Sequence, residues 1–111
     1  LKVNLEENRI ICHLTHTDHY GNIHTDLRMD DFLSVAGESK KMQVLIPGYS
    51  PLNVVLRKRF TPRTEGDFVM FNMAGYMEIG RVQAPLAYQL GLEEERVLWS
   101  EINILFDSLQ S

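Results

Sequence analysis

Four histidines, two aspartates and the lone cysteine fall within Cys12-His13-Leu14-Thr15-His16-Thr17-Asp18-His19-Tyr20-Gly21-Asn22-Ile23-His24-Thr25-Asp26. Two chemistries suit such a run. Imidazole and carboxylate groups are ligands for zinc and other transition metals. The Tyr20-Gly21-Asn22 turn instead suits recognition of a small aromatic ligand. Tyr20 offers a flat face to an aromatic ring, Asn22 can donate and accept along a base edge, and Asp18 can accept from an ammonium or a ribose hydroxyl. That set fits a nucleoside carrying an amine. Strand parity opposes the metal: His13 and His16 differ by an odd number of positions, so in a regular strand they face opposite ways. No spacing here matches a zinc module, and the expectation is no metal site. Cys12 shares parity with Ile10 and Leu14, which places it in the core, where a thiol is inert. No nucleophile elbow surrounds Ser34, Ser39, Ser50 or Ser100. Glu78, between Met77 and Ile79, reads as an outward-facing residue of an alternating strand.

The elements that must hold these residues are mostly strands. Alternation over 9–15 marks a strand buried on one face, and 23–27 is its return after the turn. Residues 28–35 read as one helical turn or a loop across a barrel mouth. Further strands are expected at 42–46, stopped by Pro47-Gly48, and at 52–60, followed by a loop over 61–66. A hairpin over 67–72 and 76–82 turns at Ala74-Gly75. Pro85 and Gly91 bracket a short helix over 85–90. Residues 97–106 form a closing strand, and 108–111 fray. So many short strands with one brief helix indicate an all-β fold, a small antiparallel barrel whose closure removes exposed edges. Its core should join Ile10, Cys12 and Leu14 with Val44, Ile46, Val69, Phe71, Ile79, Ile102 and Ile104. Tyr20 and Asn22 should stand at one mouth beside the Ala74-Gly75 turn.

The chain of 111 residues is the size of one domain, 1–111, without repeat or linker. A formal charge of −4 argues against a nucleic-acid backbone as partner, because neutralising phosphate needs clustered Lys and Arg. Arg57-Lys58-Arg59 is the one basic run and reads as a solvated strand face. A single cysteine excludes an internal disulfide and points to a reducing compartment. No apolar run approaches a membrane span or signal sequence, so a cytoplasmic protein without membrane contact is expected.

Asp18-His19-Tyr20-Gly21-Asn22, followed by Thr25-Asp26-Leu27, resembles the Asp-x-Phe-Gly-Asn-x-x-Thr-Asn-Ile signature of the C-terminal domain of the S-adenosylmethionine hydroxide adenosyltransferases, the family that includes the fluorinase and chlorinase. A second segment is similar too. Asn72-Met73-Ala74-Gly75-Tyr76-Met77-Glu78-Ile79-Gly80, then Ala87-Tyr88-Gln89-Leu90-Gly91-Leu92, looks like that family's Asn-Ser-x-Gly-x-Leu-Glu-Ile-Ala strand and short helix ending in Leu-Gly. The likeness runs from about residue 9 to about residue 104.

The resemblance implies a β-barrel that lines a site for adenosine or S-adenosylmethionine, bound as substrate and with no cofactor. By motif, Asp18 would hold the methionine ammonium, Tyr20 would stack near the adenine and Asn22 would bond its edge. The turn of Asn72, Met73 and Ala74 would close over the methionine carboxylate. It also implies an N-terminal domain of the same family as partner and assembly as a homotrimer. The groups that activate hydroxide or halide for attack at ribose C5′ belong to that N-terminal domain, so this chain should not catalyse alone. Two positions depart from the pattern: Met73 replaces a serine donor, and Asp26 puts a charge where the family has an amide. A lost donor to a buried anion costs ~1–3 kcal/mol, enough to weaken the amino-acid end tenfold. Two alternatives from other classes are a freestanding interaction barrel that has lost its ligand and a metal-binding protein built on the histidine cluster.

Overall fold

Alternating apolar residues build eight strands and two helices in a computed structural model described over residues 2–37, 41–57, 66–92 and 97–106. In chain order these are β1 (Asn4–Glu6), β2 (Arg9–Thr17), β3 (Ile23–Arg28), α1 (Met29–Ala36), β4 (Lys41–Leu45), β5 (Leu52–Leu56), β6 (Asp67–Phe71), β7 (Tyr76–Arg81), α2 (Leu86–Leu90) and β8 (Glu101–Phe106). Neighbours run β2-β3-β7-β6-β5-β4-β8, and β8 pairs back onto β2 from Arg9↔Leu105 to His13↔Glu101. The ring is therefore a closed barrel, as the alternation predicts. β1 adds outside it, pairing Asn4↔Ile11 to Glu6↔Arg9. One pairing differs from the antiparallel expectation: β5 and β6 run parallel, Val54↔Asp67 to Leu56↔Val69. A parallel neighbour needs a crossover connection, which a tight hairpin cannot supply.

The inward faces make one core. Ile10, Cys12, Leu14, Val44, Ile46, Val69, Ile79, Ile102 and Ile104 are all buried, as expected from parity. Phe71 is the exception, only partly buried and packed against that core. Its ring meets Phe32 of α1 edge-on at 5.1 Å, and Phe32 meets Phe106 at 5.5 Å. Helix α1 thus plugs the barrel end where β3 finishes. The opposite end is filled by Leu86 and Ala87 of α2 with Leu92. α1 settles the choice left open for 28–35 in favour of helix, and the expected helix over 85–90 is α2.

Boundaries move where backbone bonds compete with the strand pattern. The closing strand begins at Glu101, not at residue 97. Leu14 takes the Trp99 N–H at 2.6 Å, Ser100 N–H turns back to Val97, and Trp99 has φ +66°. β5 ends at Leu56, while 58–60 and 108–111 lie outside the described residues.

The largest departure from parity is a bulge in β2. Its register runs Leu14↔Thr25 and then His16↔His24, so Thr15 is the extra residue. Such a residue reverses the alternation beyond it. Leu14 points inward before the bulge and Thr17, opposite buried Ile23, after it. His13 and His16 consequently share the outer face, which corrects the expectation that they diverge. Among the described residues no helix is long and apolar enough to cross a membrane.

Because Ile79 and Ile104 are fully buried and Tyr20 is 79% exposed, truncation should separate core from turn. Ile79→Ala or Ile104→Ala should cost ~2–5 kcal/mol in urea unfolding, whereas Tyr20→Ala should stay within about 0.5 kcal/mol.

Candidate functional site

The two turns singled out in the sequence are built alike. In the first, Asp18 Oδ1 accepts from the N–H groups of Tyr20 at 2.9 Å and Asn22 at 3.0 Å, while Gly21 N–H returns to the Asp18 carbonyl at 3.0 Å. In the second, Asn72 Oδ1 accepts from Ala74 and Tyr76, both at 3.0 Å, and Gly75 N–H returns to the Asn72 carbonyl at 2.9 Å. Each is a three-residue hairpin loop with an Asx brace at its first position and a left-handed glycine at its fourth. Gly21 has φ +84° and Gly75 φ +89°. Asp18 and Asn72 are therefore braces, which frees Tyr20 and Met73 to project. Met73 is 95% exposed and the next residue, Ala74, is exposed as well.

Tyr20 and Asn22 flank an open hollow of about 520 Å³, half polar and half apolar, completed by Arg57, Phe68 and the 81–85 segment. Its floor is built by register. β3 and β7 pair Ile23↔Ile79, which carries Asn22 over Gly80, and a Cβ there would lie 2.7 Å from Asn22 Oδ1 and from Phe68 Cζ. Among the described residues nothing bonds the Asn22 side-chain amide. Arg81 forks onto Asp67 at 2.6 and 3.1 Å and donates to Gln89 at 2.6 Å. The bonds to Asp67 hold its pKa above the ordinary value, so it is a fixed wall. Arg57 lies over the Phe68 ring, 4.8 Å from its centroid, rather than on a solvated strand face. The hollow can stack a planar ring and offer an amide to its edge.

A second, more apolar hollow of about 650 Å³ lies between α1 and the other turn, lined by Met29, Leu33, Met70, Phe71, Asn72 and Met73 among others. The expectation that both turns share one mouth is not met. Asn22 lies over Gly80 at the end of β7 and Gly75 precedes its start, five residues apart, or about 17 Å along the ladder. Arg57 lines both hollows, and they meet at that side chain.

Behind the first turn the outer face carries a polar cluster that sequence reading missed. His24 Nε2–H donates to Asp18 Oδ2 at 2.8 Å, and Glu78 Oε1 lies 3.7 Å from the same nitrogen. The His24 ring stacks on His16, 4.2 Å between centroids. Burial pushes the Asp18 pKa up, but bonds from His24 and from the Asn22 and Tyr20 backbone outweigh it and hold the carboxyl below its ordinary value. Burial and the neighbouring His24 lower His16. Asp26, which departs from the family pattern, accepts from His13 N–H at 2.7 Å and His13 Nδ1–H at 2.9 Å. Its charge serves a histidine. Burial, with Asp26 adding, pushes the Cys12 thiol far above its ordinary range, so it carries no thiolate at neutral pH.

The model of the SAM hydroxide adenosyltransferase C-terminal domain matches residues 12–99. Among solved structures the chain is similar to an uncharacterized conserved protein from Thermotoga maritima, with a TM-score of 0.79 at 22% identity over 95% of this chain. That likeness carries the fold. The match covers 39% of the Thermotoga chain, so this chain spans about two fifths of that length. No curated protein matches.

The twin turns make a contrast that can be measured. A Cβ on Gly21 would sit 2.6 Å from Pro85 Cβ, while one on Gly75 meets nothing within 4 Å. Gly75→Ala should cost only the left-handed penalty of ~1–2 kcal/mol, and Gly21→Ala distinctly more, read by thermal or urea unfolding. In the same assay Asp18→Ala should lose ~1–3 kcal/mol, because it strands two turn donors, and Asp18→Asn should recover part of it through the remaining acceptor.

Proposed function

As the chain belongs to the family of SAM hydroxide adenosyltransferase C-terminal domains, we propose that it is the substrate-binding barrel of an enzyme converting S-adenosylmethionine and hydroxide into adenosine and methionine. The observation that carries this reading is the hollow where an exposed aromatic ring, Tyr20, and the Asn22 amide, unbonded among the described residues, face Phe68 and Arg57. Adenine stacks against Tyr20 and takes its edge bonds from Asn22. Asp18 holds the turn that presents both, in place of the ammonium contact implied by motif. The amino-acid end then runs past Arg57 along the outer face of β6 toward Asn72, Met73 and Ala74. Because Met73 offers apolar contact but no donor, this end is held less firmly.

A barrel with one wall of a pocket binds; it does not supply the attacking hydroxide. In this reading the groups that activate hydroxide come from an N-terminal domain of the same family, and the barrel meets that domain in a homotrimer. Turnover therefore requires the assembly, and the isolated barrel is inactive.

Titration of the labelled chain with adenosine, followed by amide shifts, tests the reading. Shifts should centre on Tyr20 to Asn22, Phe68 and Arg81 to Ala84, with millimolar affinity, about −4 kcal/mol. S-adenosylmethionine should add shifts at Asn72 to Gly75 that adenosine does not cause, and Asn22→Ala should weaken both ligands. Saturating adenosine with silent amides at Tyr20 and Asn22 would replace this function with that of an interaction barrel without a ligand.

A further inference from the structure

Glu78 is a carboxylate with too few donors. Its side chain is 9% exposed, and among the described residues its one ionic contact is His24 Nε2 at 3.7 Å, beyond hydrogen-bond reach. That N–H already serves Asp18 Oδ2 at 2.8 Å. Two carboxylates thus converge on one proton, and of the two Glu78 is the one shielded from water. A buried, unpaired carboxylate is costly, and a fold that keeps one has something to neutralise it.

The arrangement is aimed as well as charged. One oxygen of Asp18, one of Glu78 and Nε2 of His24 all lie within 4.8 Å of one another. They come from three separate segments: the first turn, β7 and β3. Two are held from behind, and the third is placed by register. Asp18 Oδ1 is fixed by two backbone N–H groups, leaving Oδ2 toward the cluster. The His24 ring is kept in plane by His16, tilted only 18° from it. Glu78 is paired with His24 across the β3–β7 ladder. Fixing ligands through their other atoms is how proteins orient metal-binding groups.

We propose that Asp18, His24 and Glu78 bind one divalent first-row transition-metal ion of the zinc class, with water completing its shell. A double positive charge cancels both carboxylates, and the metal takes the Nε2 lone pair of a neutral imidazole. One nitrogen and two oxygens, without thiolate, suit zinc or manganese over softer ions, and the imidazole disfavours calcium and magnesium. The bound ion clamps the first hairpin to β7 behind Tyr20 and Asn22. The proposal does not rest on the adenosine reading, although Asp18 is common to both places.

The test uses the untagged chain stripped with a chelator and titrated with zinc by calorimetry, alongside the thermal midpoint. One equivalent should bind and raise the midpoint by several degrees. Glu78→Gln and His24→Gln should each weaken binding at least tenfold and abolish that rise. Should His24→Gln fail to fold, Glu78→Gln carries the comparison, because it keeps the side-chain shape and removes the charge. In the wild type, zinc should shift the His24 ring resonances and leave His19 unmoved. No heat and no midpoint change at millimolar zinc would overturn the proposal. So would binding that survives Glu78→Gln, or ring shifts confined to His19.

Discussion

One extra residue in β2 governs the polar half of this barrel. β2 serves β8 through Arg9–His13 and β3 through Leu14–Thr17, and Thr15 is the position at which the second ladder slips. The reversal of alternation there sends His13 and His16 to the same outer face and lets Thr17 follow Leu14 inward. Without the bulge, His16 would point at the core opposite a strand that offers it no partner. With it, His16 covers His24, and His24 reaches Asp18 and Glu78. The first turn inherits its position from that slip, since Asp18 lies two residues beyond His16.

The twin hairpins show how a short segment can separate bracing from display. An acceptor at the first position collects the backbone N–H groups of the third and fifth, and a left-handed glycine at the fourth closes the loop. Nothing in that scheme uses the side chain of the third residue, which is Tyr20 in one turn and Ala74 in the other. Two of the matching residues in each motif, the Asx and the Gly, are thus explained by turn physics alone. What turn physics leaves unexplained is Tyr20 and Asn22 in the first turn and Met73 in the second.

How far the sequence could be read follows from which forces are local. Alternation over Ile10, Cys12 and Leu14 and the Gly-bearing turns are short-range signals, and they locate the closed barrel, its core and α2. The bulge left no such mark, because Thr15 is an ordinary strand residue whose displacement is set by the partners of β2. The parallel pairing of β5 and β6 was equally silent, since alternation says which face is buried and not which way a neighbour runs. Tyr20 and Asn22 were identifiable as a displayed pair; Phe68 and Arg81, the rest of their hollow, come from strands more than forty residues away and needed the register Ile23↔Ile79. The ligand chemistry of Asp18 is legible in the sequence, as a carboxylate beside a turn. Its two backbone bonds emerge only when the turn closes on it.

Asp18 joins two regions that otherwise have little to do with each other. Its Oδ1 sets the conformation of the turn that presents Tyr20 and Asn22, and its Oδ2 faces His24 and the Glu78 carboxylate. The two oxygens share one rigid plane and one χ1 rotation. A change in what Oδ2 binds therefore acts on the bonds at Oδ1, and through them on the amides of Tyr20 and Asn22. Asn72 has the same brace without the second contact, its amide bonding only within its own turn among the described residues. Two turns of one geometry thus differ in what governs them: the second answers to its own sequence, whereas the first also answers to the charges behind it on β3 and β7.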